Sequence, residues 1–154
     1  MRLVIGSDHA GFPLKAKLLG ALRARGHELS DMGCHDETPV DFPDIAASVC
    51  REILDGRACR GIMFCGTGVG AAIACNKIPG IRACVCHDIH TAHQCVEHDD
   101  VQVIAFGAQI VGHTVALELI DLFVKAEFST GDEFRRRVAK LNAMDNKKQI
   151  NQSL

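Results

Sequence analysis

The chain has 154 residues, an apolar fraction of 47% and a formal net charge of −2, so one domain can bury about two-thirds of its unfolded surface without disulfides or metals. Near-balanced charge, with a pI of about 6.4, excludes an overall basic surface for nucleic acid or acidic membranes and leaves any anion recognition to a local site. No apolar stretch reaches the roughly 20 residues of a bilayer span, and the opening Met1-Arg2-Leu3-Val4-Ile5-Gly6 reads as a strand rather than a secretion signal.

Strand and helix signals then alternate. Leu3-Val-Ile-Gly6 is the first strand, and Leu14, Leu18, Leu19 and Leu22 fall at helical spacing over 13–25, closed by Gly26. A short second strand covers 27–33, and Pro43 opens a helix over 44–54. The third strand, 61–64, runs into Cys65-Gly66-Thr67-Gly68-Val69-Gly70 and a short helix over 71–75. A fourth strand over 81–86, a helix over 89–97, a fifth strand over 101–105, a helix over 111–124 and a charged helix over 133–146 complete the pattern. This alternation predicts an α/β fold: a three-layer αβα sandwich with a five-stranded, mainly parallel, Rossmann-like sheet and a C-terminal helix. One domain over 1–146 and a polar tail over 147–154 are expected.

In such a sheet ligands gather at the carboxyl ends of the strands. Four groups of chemically capable residues fall on that edge: Ser7-Asp8-His9-Ala10-Gly11, Cys65-Gly-Thr-Gly68, His87-Asp88 and Phe106-Gly107. The Cys65 loop is the most informative of them. Its glycines leave backbone N–H groups unhindered where a helix begins, a place that favours an oxyanion and a thiolate alike. The chain has eight cysteines. Without a secretory signal they read as reduced thiols in a cytoplasmic protein, and most lie in apolar runs where cysteine packs as a small hydrophobe.

Gly6-Ser-Asp-His-Ala-Gly11, Asp41-Phe-Pro43, Cys65-Gly-Thr-Gly-Val-Gly70, Asn76-Lys77, Gly80-Ile-Arg82 and His98-Asp-Asp100 occur in that order at compatible intervals. Together they resemble the type B ribose-5-phosphate isomerase family, which also holds galactose-6-phosphate and allose-6-phosphate isomerases. The resemblance runs from the first strand to about residue 145. It implies interconversion of ribose 5-phosphate and ribulose 5-phosphate through a cis-enediolate, a step of the pentose phosphate pathway, with no metal or other cofactor. Cys65 matches the family's base; a thiol's ordinary pKa of about 8.5 leaves it mostly protonated at neutral pH, so the loop amides and helix dipole are expected to favour the thiolate. Thr67 matches the hydroxyl that helps open the ring. The amides of Gly66, Gly68, Val69 and Gly70 match the cradle for the enediolate oxygens. His98 matches the histidine that moves a proton during ring opening, acting in the site of a neighbouring subunit, so a homodimer or a dimer of dimers with shared sites is implied. Asp8 matches a contact to the sugar hydroxyls, and His9 and Arg137 contacts to the phosphate.

Several positions depart from the family's pattern. Gln109 and Glu133 stand where arginines are usual, which leaves Arg137, with Arg135 and Arg136 beside it, as the remaining guanidinium candidates. Asp99 replaces an asparagine, adding negative charge, and Phe42 replaces a tyrosine. A six-carbon aldose 6-phosphate, of the allose or galactose type, is therefore an alternative substrate. Two other classes stay open: a sugar-phosphate-binding protein without catalysis, and a zinc protein built on Cys84, Cys86, His87, His90, His93, Cys95 and His98. The absence of any C-x-x-C pair argues against zinc. For Cys65 the alternative is an inert buried thiol, for the glycine turn a plain helix cap, for Asp8 a cap on the first helix, and for His98 a solvated helix end.

Overall fold

A computed structural model describes residues 1–145. The expected tail over 147–154, and the last residue of the helix expected over 133–146, lie outside them. Five strands, β1 (Arg2–Ser7), β2 (Glu28–Asp31), β3 (Arg60–Cys65), β4 (Ala83–Val85) and β5 (Val103–Gly107), form one sheet in the order β2-β1-β3-β5-β4. Every pair is parallel, so the mainly parallel sheet expected from alternation is wholly parallel among the described residues. Six helices connect and flank it: α1 (Phe12–Ala24), α2 (Phe42–Leu54), α3 (Val69–Asn76), α4 (Ile89–Asp99), α5 (His113–Lys125) and α6 (Asp132–Met144).

Strand side chains alternate between two cores, as the pleat requires. Leu3, Ile5, Ile62, Phe64, Ile104 and Phe106 face α1, α4 and α5. Val4, Met63, Cys65, Val103 and Ala105 face α2 and α3. The rings of Phe64 and Phe106, on adjacent strands, lie 5.8 Å apart and stack. Both are fully buried, and truncating either to alanine costs about 3–5 kcal/mol. Because β1 pairs with β2 on one side and β3 on the other, the chain reverses its direction of winding between β1 and β3. A crevice therefore opens above the carboxyl ends of these two strands.

Three strands depart from expectation: the second shrinks from 27–33 to Glu28–Asp31, the fifth shifts from 101–105 to Val103–Gly107, and the fourth shrinks from 81–86 to three residues. Ile81 N–H bonds back to Ile78 O at 3.1 Å, and Arg82 N–H is taken by the Gln102 side chain at 2.8 Å. Local turn bonds thus remove the backbone groups that the sheet would need. Helix α3 instead gains length, since Val69 and Gly70 belong to its first turn.

Candidate active site

The crevice above β1 and β3 receives Asp8 and His9 from one strand and the Cys65 loop from the other. Asp8 N–H donates to Phe64 O at 3.1 Å, which carries the sheet pairing one residue past β1. Asp8 is 5% exposed, and its carboxylate accepts the Gly11 N–H at 2.8 Å, so it does cap the start of α1. A Cβ on Gly11 would stand 2.2 Å from the Phe64 carbonyl, so glycine is what lets α1 begin against the end of β3. Gly68 adopts the left-handed conformation, φ 82°, as N-cap of α3.

Cys65 is buried on the α2/α3 face. Its electrostatic surroundings are the Asp8 carboxylate and the N–H groups of Gly68 and Thr67. The two influences oppose each other. Burial pushes the thiol pKa up, the Asp8 carboxylate adds to this, and the two amides pull it down by less. The net direction is upward. The expectation that the loop field favours a thiolate is thus corrected: desolvation and a neighbouring carboxylate outweigh two amides.

Thr67 is exposed, and its Oγ1 accepts the Val69 N–H at 3.4 Å. The first helical bond of α3 runs from Ala72 N–H to Gly68 O at 3.0 Å. The amides of Gly70 and Ala71 precede it and are free of helical partners. Gly66 accepts at its carbonyl from Gln109 N–H at 3.0 Å, and Cys65 O accepts from Ala108 N–H at 2.8 Å, so the turn after β5 buttresses the loop. His87, which the sequence placed on this edge without a role, accepts the Gly107 N–H through Nε2 at 2.9 Å. Burial lowers its pKa.

His9 stands beside the 32–41 loop, where its Nδ1 accepts the Val40 N–H at 3.3 Å. The proton of the neutral ring therefore sits on Nε2. Lys15, fully buried, pairs with Asp31 at 2.7 Å and donates to Cys34 O at 2.5 Å, pinning this loop beneath α1. No sequence signal marked Lys15, because a lysine at a helical core position reads as a surface residue. Phe42 packs over the start of α3, close enough that a Cβ on Gly70 would meet its ring at 2.9 Å.

His98, Asp99, Arg136 and Arg137 are elsewhere. Helix α4 runs from the carboxyl edge back to the start of β5, so His98 and Asp99, in its last turn, lie at the opposite edge of the sheet from Cys65. A strand of this length separates the edges by roughly 15 Å. His98 therefore does not share a sheet edge with Asp8 and His9 within one chain. His98 stacks on Phe134 of α6 at 4.2 Å, and the Arg137 guanidinium lies 5.7 Å from the centroid of the same Phe134 ring. Arg136 and Asp99 are exposed. Arg82 ties this region together: it donates to Asp99 O at 2.8 Å, to Asp100 O and Oδ2 at 2.7 Å each, and to Asn142 Oδ1 of α6 at 2.7 Å.

Four of the cysteines outside the loop adjoin one another in pairs, Cys50 beside Cys75 and Cys84 beside Cys95. His90 and His93 meet edge to face at 5.4 Å. Among the described residues no group of three or more histidine, cysteine or carboxylate side chains is gathered as a metal site.

A family model described as Ribose/Galactose Isomerase matches residues 3–141. Ribose-5-phosphate isomerase B of Escherichia coli is 35% identical over 147 residues, covering 96% of this chain and 98% of its own. A D-erythrulose-4-phosphate isomerase of Pectobacterium atrosepticum is 38% identical over 133 residues, 85% of this chain and 87% of its own. The solved ribose-5-phosphate isomerase B of Clostridium thermocellum superposes with a TM-score of 0.92 at 41% identity, over 96% of this chain and 99% of that one.

Proposed function

Since the chain belongs to the ribose/galactose isomerase family, we propose that it interconverts ribose 5-phosphate and ribulose 5-phosphate, with Cys65 as the carbon base. The observation that carries this reading is the Cys65 thiol itself, held at the β1/β3 crevice between the Asp8 carboxylate and the Gly68 and Thr67 amides. Asp8 is the carboxylate beside the thiol, and it serves to take the thiol proton. The thiolate then removes the proton from C2 of the open-chain aldose. The resulting cis-enediolate faces the free amides at the start of α3, and returning the proton to C1 gives the ketose. One hydrogen moves between carbons and one between oxygens, so no oxidant or cofactor is consumed. Thr67, exposed beside the thiol, assists ring opening.

His98, Asp99 and Arg137 lie too far from Cys65 to serve it within one chain, which supports a homodimer in which the partner's His98 end closes over each Cys65 loop. His98 then moves the proton that opens the furanose. The eight free thiols fit a reducing compartment, and we place the enzyme in the cytoplasm. Among the described residues no helix is long and apolar enough to cross a membrane.

Side-by-side assay on ribose 5-phosphate, allose 6-phosphate and galactose 6-phosphate tests the substrate, with ribose 5-phosphate expected to give the highest kcat/KM. A higher value on a six-carbon sugar would reassign it. Cys65→Ala should lower turnover by about a thousandfold while the melting curve stays cooperative. Near-normal activity would remove Cys65 as the base.

A further inference from the structure

Beside the Cys65 loop, between the start of α1 and the turn after β5, lies a second cavity of about 280 Å³. The two sites share a wall. Gln109 lines the cavity, its backbone N–H holds the Gly66 carbonyl, and its side-chain amide comes within 3.5 Å of where a Gly66 Cβ would stand. Ala10, directly after Asp8 and His9, lines it as well and touches the same glycine.

The polar side chains facing this space are Lys17, His113 and Gln109, and no carboxylate is among the lining residues. Each offers an N–H donor, and Lys17 brings a full positive charge. Such a set suits a phosphate group. The volume, equal to about nine waters, takes a phosphate and the terminal carbon of a sugar.

Resting on the isomerase reading above, we propose that this cavity seats the substrate's phosphate, with the Lys17 ammonium supplying the charge that the neutral Gln109 does not and a His113 ring N–H a second donor. An ammonium and an imidazole bind as separate point donors, without the fixed fork of a guanidinium. Both belong to the chain that carries Cys65. Arg137 sits at the other edge of the sheet, so the phosphate is held from the Cys65 side even before a partner's Arg137 reaches it.

The test uses the assembled enzyme and three single variants, Lys17→Gln, His113→Gln and, as a control for general charge, Arg23→Gln at the far end of α1. Lys17→Gln is expected to raise KM for ribose 5-phosphate about tenfold, the effect of losing one charge-assisted hydrogen bond, and His113→Gln several-fold. The inhibition constant of inorganic phosphate should rise in parallel, Arg23→Gln should move neither, and Gln109→Arg placed in Lys17→Gln should bring both back toward wild type. Unchanged KM and phosphate inhibition in Lys17→Gln and His113→Gln would overturn the proposal. Calorimetric titration with inorganic phosphate keeps the subsite separable from the isomerase reading. If wild-type protein turns over no sugar phosphate yet binds phosphate in a Lys17-dependent way, the activity fails and the subsite stands; if it turns over sugar phosphates and the Lys17→Gln titration matches wild type, the subsite fails and the activity stands.

Discussion

At Cys65 burial and the Asp8 carboxylate hold the thiol in its protonated form, and two loop amides only soften that bias. Asp8→Asn removes the negative charge that favours S–H and adds an N–H donor, so the thiol pKa should fall. Alkylation of Cys65 by iodoacetamide, followed by peptide mass spectrometry, should then be faster at pH 7–8 in Asp8→Asn than in wild type. The wild-type alkylation rate should reach half its maximum above about pH 8.5, the midpoint of an ordinary thiol; a midpoint at or below that pH contradicts the account. The loop's glycines and the thiol were legible in the sequence because spacing alone displays them. The direction of the pKa was not, since desolvation and a carboxylate from another strand exist only after folding. His87 gives a second pH dependence. Its folded pKa is lowered by burial from the ordinary 6.5, so the hydrogen bond to Gly107 contributes fully above pH 6.5 and is lost as pH falls through the folded value. His87→Gln, which keeps an acceptor that does not titrate, should lose less melting temperature between pH 7 and pH 5 than wild type. An equal loss would assign the acid sensitivity elsewhere.

Among the elements, the proposed chemistry falls on α3 and the end of α4, and how they begin and stop decides it. Gly68 opens α3 at φ 82°, where a Cβ would lie 3.1 Å from the Phe106 carbonyl carbon and 3.2 Å from Ala105 O. Gly68→Ala should cost about 1–2 kcal/mol in urea unfolding and a larger share of turnover, because the displaced amide is one that faces the Cys65 sulfur. Stability loss with full activity would separate the loop from catalysis. At the other edge Arg82, only 14% exposed at its side chain, clamps the α4 terminus to α6. Arg82→Met should destabilise by about 2–3 kcal/mol and slow reaction on ribose 5-phosphate more than on a four-carbon aldose phosphate that cannot cyclise; Arg82→Lys, lacking the fork, should recover little. Equal slowing on both substrates would deny the clamp a part in placing His98. The sequence placed these helices well because their apolar faces repeat at helical period. It overran β4 by three residues because Ile81, Arg82 and Cys86 read as strand, whereas turn and side-chain bonds claim the backbone of the first two.

For the molecule as a whole, alternation of strand and helix dictated a parallel sheet, and the sheet's order puts the crevice between β1 and β3 where Asp8, His9 and Cys65 converge. A helix that joins two parallel strands must run back against them, so α4, between β4 and β5, carries His98 to the far edge. One chain therefore carries the Cys65 loop at one end and His98, Phe134 and Arg137 at the other, which the shared-site proposal reads as two halves of one site. A two-fold dimer brings unlike halves together twice. Mixing Cys65→Ala with His98→Asn subunits, each nearly inactive on ribose 5-phosphate, after reversible dissociation tests this most directly. A hybrid has one site with both residues intact, so random pairing should restore roughly a quarter of wild-type activity. A mixture no more active than its two components would contradict a site shared between subunits.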